Sequence, residues 1–98
     1  MVDDEPDLRT LYELTLLRQG YRVETAGSVQ EGMTQLQGRN FDVLITDMRL
    51  PDGIGMELLL HLRDQSRSER CIVMTAYGSA ENAVEALRAG AFDYLTKP

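Results

Sequence analysis

Cysteine is almost absent from this chain. Cys71 stands alone among 98 residues, inside the apolar run Cys71-Ile72-Val73-Met74, so an internal disulfide is excluded and the thiol reads as a small buried hydrophobe. A reducing cytoplasm suits it. Long apolar stretches are missing as well, and no charged-then-apolar leader opens the chain, so neither a membrane span nor export is expected. Basic charge is scarce: ten Lys and Arg against sixteen Asp and Glu leave a net charge of −6, which argues against direct binding to a nucleic-acid backbone. There is no internal repeat, linker or low-complexity tract. The length fits one small domain with one core, and 43% hydrophobic with 27% charged residues is ordinary for a soluble globular fold.

What is present is a strict alternation of helical and extended patterns. Asp7 to Gln19 predicts a helix, with Pro6 in its first turn, Asp4 and Glu5 at its positive end, the stripe Leu8, Leu11, Tyr12, Leu16, and Gly20 as its stop. Tyr21, Val23 and Thr25 alternate with Arg22 and Glu24, as in a strand at a sheet edge. Ser28 and Glu31 predict a capping box for a second helix, whose inner face is Val29, Met33 and Leu36 and which closes at Gly38. Phe41 to Thr46 is nearly all apolar, the pattern of a strand covered on both faces.

After a Pro51-Asp52-Gly53 turn, a third helix is expected to bury Met56, Leu59, Leu60 and Leu62 while His61, Arg63 and Asp64 face water. Residues 66 to 70 read as a polar loop and Cys71 to Met74 as a short buried strand. Ser79 then caps a helix carrying Ala80, Ala83, Val84 and Leu87, which Gly90 ends, and Phe92 to Leu95 forms the last strand. Unbroken alternation of this kind predicts right-handed crossovers and a parallel sheet.

In such sheets the chemistry gathers beyond the carboxyl ends of the strands, where loops vary on a rigid base. Four predicted strand ends deliver Asp3 and Asp4, Asp47, Thr75 and Lys97 to one edge. A carboxylate such as Asp47 can attack a phosphoryl group and form an acyl phosphate. Both reactants are negative, so a divalent cation is required, and Mg2+ is a hard ion held by one or two carboxylates such as Asp3 and Asp4. The Arg49 carbonyl is a further candidate ligand. Lys97 offers a compact positive charge and Thr75 a hydroxyl to the phosphoryl oxygens, and Tyr94 is an amphipathic ring able to follow Thr75. Singly, each has an ordinary reading: helix cap, turn residue, solvated terminal charge, core tyrosine. Together at four strand ends they point to one site. His61 reads as a surface histidine, since no second ligand stands near it in sequence.

The segments Val2-Asp3-Asp4-Glu5-Pro6, Thr46-Asp47-Met48-Arg49-Leu50-Pro51-Asp52-Gly53, Met74-Thr75-Ala76-Tyr77-Gly78 and Gly90-Ala91-Phe92-Asp93-Tyr94-Leu95-Thr96-Lys97-Pro98 resemble the receiver domain of two-component response regulators across the whole chain. Thr46-Asp47-Met48-Arg49 and Tyr77-Gly78-Ser79 are similar to the nitrogen-regulation, NtrC-like, subclass, whose members drive an ATPase domain and a helix-turn-helix. The resemblance implies a three-layer, flavodoxin-like, doubly wound parallel sheet of order 2-1-3-4-5. It implies that Asp47 accepts phosphate from the histidine of a sensor kinase, that Asp3, Asp4, Asp47 and the Arg49 carbonyl hold Mg2+, and that Thr75, Tyr94 and Lys97 carry the switch. It implies a cytoplasmic phosphorelay component controlling transcription, with no direct nucleic-acid or membrane contact and with homodimers in complete members.

Complete members have five strands and five helices. Residues 1–98 are expected to carry only the end of the first strand and no fifth helix, an incomplete receiver that is marginal or aggregation-prone in isolation. Arg49 and Tyr77, each two residues beyond a site residue, are expected to flank the approach of water and slow hydrolysis. Two other classes compete. Aspartate-nucleophile phosphohydrolases carry Asp-x-Asp, but Arg49 occupies the position of their general acid, so no turnover of small phosphate esters is expected. A pure interaction module that never carries phosphate is the other alternative. Gly53-Ile54-Gly55 lacks the third glycine and the preceding strand of a dinucleotide loop.

Overall fold

The structure is a computed structural model that describes residues 1–75 and 80–96, the side chains of 80–82 excepted. In chain order its elements are helix α1 (Pro6–Arg18), helix α2 (Val29–Gly38), strand β1 (Val43–Asp47), the short strands β2 (Arg49–Leu50) and β3 (Gly53–Ile54), helix α3 (Met56–Asp64), strand β4 (Arg70–Thr75), helix α4 (Ala80–Arg88) and strand β5 (Asp93–Thr96). Strands β1, β4 and β5 pair parallel in that order. Val2 extends the sheet on the far side of β1, with parallel bridges to Thr46 on one side and to Ala26 on the other. The order across the sheet is thus Ala26, Val2, β1, β4, β5, which is 2-1-3-4-5 counted along the chain. Every neighbour is parallel and a helix lies in every crossover, so the architecture is the flavodoxin-like, doubly wound α/β fold. Among the described residues no helix is long and apolar enough to cross a membrane.

The expected edge strand at residues 21–25 is reduced to a single bridge at Ala26. A ladder needs a partner strand, and this segment meets residues 1–3 through Met1 N to Glu24 O at 2.9 Å, Ala26 N–H to Met1 O at 3.0 Å and Asp3 N–H to Ala26 O at 3.0 Å. Helix α1 buries no residue completely. Leu8, Tyr12 and Leu16 of the expected stripe are half-buried, but Leu11 is exposed.

The core joins Val2, Leu44, Cys71 and Val73 of the sheet to Val29 and Leu36 of α2, Leu58, Leu59 and Leu62 of α3, and Ala86 of α4. The expected inner face of α3 is corrected at two positions: Leu58 is buried and Leu60 is 40% exposed. The run Leu58-Leu59-Leu60 allows either phase, and Gly32 decides it. A Cβ at Gly32 would lie 3.2 Å from both Leu58 methyls and from Val2 Cγ2, so the missing side chain is the slot that Leu58 fills. His61 is half-buried rather than fully in water. Helix α4 keeps Ala83 inward as expected but departs from expectation beside it, with Ala86 buried and Val84 and Leu87 exposed, because small side chains let a helix lie close on the sheet.

Ser28 caps α2 by accepting the Glu31 N–H, while the Glu31 carboxylate reaches one residue further back than a capping box requires, to the Gly27 N–H at 2.6 Å. The proposed cap of α4, Ser79, lies outside the described residues. The Pro51-Asp52-Gly53 turn is the tip of an antiparallel hairpin that pairs Leu50 with Gly53 and Arg49 with Ile54.

Residues 66–70 are more than a polar loop. The Arg67 guanidinium grips both carboxylate oxygens of buried Glu69 and also donates to the carbonyls of Leu36 and Arg39 and to Asn40 Oδ1. Glu69 in turn accepts the Phe41 N–H at 3.0 Å. Burial pushes the Glu69 carboxyl up, but the hydrogen bonds from Arg67 and from the Phe41 backbone outweigh it and leave the group below its ordinary range. This staple fixes the amino end of the sheet to the end of α2.

Candidate functional site

The opposite, carboxyl, end of the sheet gathers acids. Val2 sits between Ala26 and β1, its N–H donating to Ile45 O at 2.7 Å while its carbonyl accepts the Asp47 N–H at 2.8 Å. That pair of bonds sets the residue after Val2 beside the last residue of β1, so Asp3 and Asp47 become neighbours although 44 positions of sequence separate them. Both are buried, Asp3 at 0% and Asp47 at 5% exposure. The carboxylates of Asp3, Asp4, Glu5 and Asp47 each bring an oxygen to a cluster in which these atoms lie within 4.8 Å of one another. Asp4 and Glu5 are exposed, so the cluster opens to water on their side.

Backbone and side-chain hydrogen bonds brace the cluster. The Glu5 N–H donates to Asp3 Oδ1 at 2.9 Å, and Arg9 Nη1 donates to the Asp3 carbonyl at 2.9 Å, which ties the start of α1 to the site. Beyond Asp47 the chain stays on the sheet, with Met48 N–H to Met74 O at 2.9 Å, and then folds back so that the Gly55 N–H meets Met48 O at 2.7 Å. Only glycine fits at 55: a Cβ there would stand 2.0 Å from the Asp47 carbonyl oxygen and 2.8 Å from Thr46 Oγ1. Thr46 is fully buried and donates its hydroxyl to that same carbonyl at 3.0 Å.

Thr75 ends β4, one residue beyond the Met74 that faces Asp47 in register, and is buried at 2% exposure. Its hydroxyl is 3.5 Å from Leu95 O, a long contact. Tyr94 on β5 pairs with Val73 and is exposed. Arg49 is exposed on β2, two residues past Asp47. Lys97 and Tyr77 lie outside the described residues. The structure therefore brings Asp3, Asp4 and Asp47 together, adds Glu5, and sets Thr75 on the neighbouring strand end. From sequence Glu5 is a helix-terminus charge; its place beside Asp4 in a short acidic run is the available signal.

Oxygen-only donors, four carboxylates with an open side, suit a hard divalent cation such as Mg2+ and do not suit a thiophilic one. Cys71 takes no part: it is buried in the core, and burial pushes its thiol up to about 12.

The family model described as Response regulator receiver domain matches residues 1–98. The response regulator protein PilR of Pseudomonas aeruginosa is 46% identical over 98 residues, 100% of this chain, which spans 22% of PilR's length. Among solved structures, the receiver domain of NtrX from Brucella abortus superposes with a TM-score of 0.92 at 29% identity, covering 99% of this chain and 82% of that one. A response regulator protein from Burkholderia pseudomallei, solved with a phosphorylated aspartic acid, a calcium ion and citrate, has a TM-score of 0.89 at 31% identity, covering 99% of this chain and 57% of that one. A match from the first residue to the last, on a fold whose strand ends carry these acids, leaves one assignment: the chain belongs to the response regulator receiver domain family.

Proposed function

We propose that the chain is the phosphoacceptor module of a two-component signalling protein, with Asp47 as the accepting residue. The observation that carries this reading is the buried Asp47 carboxylate at the end of β1, within 4.8 Å of three other carboxylates at the mouth of the sheet. An Asp47 oxygen attacks the phosphorus of a phosphohistidine on a sensor kinase, the P–N bond breaks, and the imidazole nitrogen keeps the electron pair. Asp3, Asp4, Asp47 and the Arg49 carbonyl would hold Mg2+, with Glu5 at the rim. When bound, the ion neutralises the charge of carboxylate and phosphoryl oxygens that would otherwise repel.

Lys97 and the Thr75 hydroxyl then receive the phosphoryl oxygens. The long Thr75 contact to Leu95 O is weak enough to be exchanged for a charge-assisted bond, and exposed Tyr94 on the paired strand turns inward as Thr75 moves. Chemistry at the strand ends thus becomes a change on the β5 face. A cytoplasmic setting and an output in transcription, the latter supported by the 38% identical alginate biosynthesis transcriptional regulatory protein AlgB of Pseudomonas putida, complete the reading; the module turns over no external substrate.

The test uses the full protein with acetyl phosphate and Mg2+, followed by intact mass. A gain of one phosphoryl group that is lost in Asp47→Asn and on chelation of the metal supports the assignment. No gain in the unaltered protein would favour a pure interaction module, and steady release of phosphate from many esters would favour a hydrolase.

A further inference from the structure

Asp52 lies at the tip of the β2–β3 hairpin, exposed and outside the acidic cluster. Its carboxylate nevertheless reaches helix α2, 23 positions back in sequence: Oδ1 accepts the Val29 N–H at 2.8 Å and Oδ2 accepts the Gln30 N–H at 3.0 Å. Ser28 takes the next amide, Glu31 N–H, at 3.1 Å. The first turn of α2 is therefore capped partly by its own residue and partly by the hairpin. The bonds from Gln30 and Val29 also hold the Asp52 carboxyl below its ordinary range, so it stays ionised against the positive end of the helix.

The same stretch of chain also holds the first pair of acids. Ala26, just before α2, accepts the Asp3 N–H at 3.0 Å, and Val2 accepts the Asp47 N–H at 2.8 Å. A closed ring results: Asp3 to Ala26, along the chain to Val29 and Gln30, across to Asp52, back through the hairpin to Asp47, and across to Val2. Two of its three crosslinks are backbone bonds, and the third is the Asp52 side chain. The hairpin it secures has strands of two residues each, and its other ties, the Ile54 N–H to Glu57 Oε2 at 2.9 Å and the Gly55 N–H to Met48 O at 2.7 Å, hold its base rather than its tip.

We propose that Asp52 is a positioning residue for the cation site, a latch that fixes the backbone beyond Met48, the Arg49 carbonyl included, against the Asp3 side of the cluster. The inference rests on the reading of the cluster as a Mg2+ site. Without the latch the hairpin tip swings while Asp47 and Met48 stay on the sheet through their bonds to Val2 O and Met74 O, so the Arg49 carbonyl loses its fixed spacing from the acids and the cation must order it as it binds.

The experiment compares the full protein with Asp52→Ala, Asp52→Asn and Ser28→Ala. Mg2+ affinity is measured by titration calorimetry, melting temperature is recorded, and acetyl phosphate transfer is followed across Mg2+ concentration. The expected result is a Mg2+ dissociation constant raised about tenfold by Asp52→Ala, the scale for partners that orient metal ligands. Asp52→Asn, which keeps one accepting oxygen, falls between, and the transfer rate recovers at saturating Mg2+. Ser28→Ala removes a cap from the same helix without touching the hairpin, so it lowers the melting temperature and leaves Mg2+ affinity unchanged. Equal Mg2+ affinity in Asp52→Ala and the unaltered protein would reduce Asp52 to a helix cap and overturn the latch, while leaving the phosphoacceptor reading intact. Failure of the unaltered protein to bind Mg2+ would remove the site itself, and the latch with it.

Discussion

The two ends of the sheet both bury carboxylates and treat them in opposite ways. At the amino end, Glu69 is set against the Arg67 guanidinium and the Phe41 N–H, so a buried charge is answered inside the chain. At the carboxyl end, Asp3, Asp4, Glu5 and Asp47 are set against one another within 4.8 Å. The first arrangement holds the fold together; the second gathers like charges at the mouth of the sheet, the usual mark of a site built for chemistry. Removing a charge should therefore have opposite signs at the two ends.

The largest effect is expected at the amino end. Arg67→Ala leaves Glu69 buried without its guanidinium and strips a donor from the Leu36 and Arg39 carbonyls, for a loss of about 3–5 kcal/mol in chemical denaturation. Replacing the pair together, Arg67→Met with Glu69→Leu, should recover much of that loss. If the double variant is no better than the single one, the staple is not the reason for the cost.

Next comes the hinge of the site. Gly55→Ala forces a Cβ to within 2.0 Å of the Asp47 carbonyl oxygen, and backbone must shift to admit it. Overpacking of this kind costs about 1–3 kcal/mol, and here it also displaces the proposed acceptor, so phosphorylation by acetyl phosphate should slow more than the lost stability accounts for. A full rate with a lowered melting temperature would separate Gly55 from the site.

Asp47→Asn is the comparison in the opposite sense. It removes one of two buried carboxylates from a cluster of like charges that opens to water at Asp4 and Glu5, and should raise stability in metal-free buffer, on the order of 1 kcal/mol, while abolishing the stabilisation that added Mg2+ gives the unaltered protein. A destabilised Asp47→Asn variant would mean that the two ends of the sheet obey the same rule after all.

The site was more legible in the sequence than the staple or the latch, and the reason is range. Asp3, Asp4, Asp47 and Thr75 each follow an apolar run, and the topology implied by alternating helices and strands carries them to one edge without knowledge of any side-chain contact. Arg67 and Asp52 each hold backbone groups 22 to 31 residues away, which no local pattern reports, and the short-range pair of Arg67 with Glu69 looks from sequence like any surface ion pair. The same limit explains the helix faces. Leu58 and Leu60 fit a helical stripe equally well until Gly32 of another helix offers its slot, and Ala83 and Ala86 are inconspicuous beside Val84 and Leu87 until the sheet beneath α4 selects for smallness.

The smallest prediction concerns acid. Glu69 and Asp52 both titrate below their ordinary values in the fold, Glu69 because Arg67 and the Phe41 N–H outweigh its burial, and Asp52 because the Gln30 and Val29 amides hold its anion. A carboxyl whose folded value is depressed binds protons more readily when unfolded, so its contribution to stability is complete above the unfolded value and disappears as pH falls through the folded one. Melting temperature should thus be flat at neutral pH and decline as pH drops below 4.5, the ordinary value for Glu. Glu69→Gln should flatten that decline more than Asp52→Asn, because Glu69 is buried and Asp52 lies in water that screens its bonds. An equal flattening by both would place the acid sensitivity at the hairpin as much as at the staple, and would blur the distinction between a charge kept for the fold and charges kept for the site.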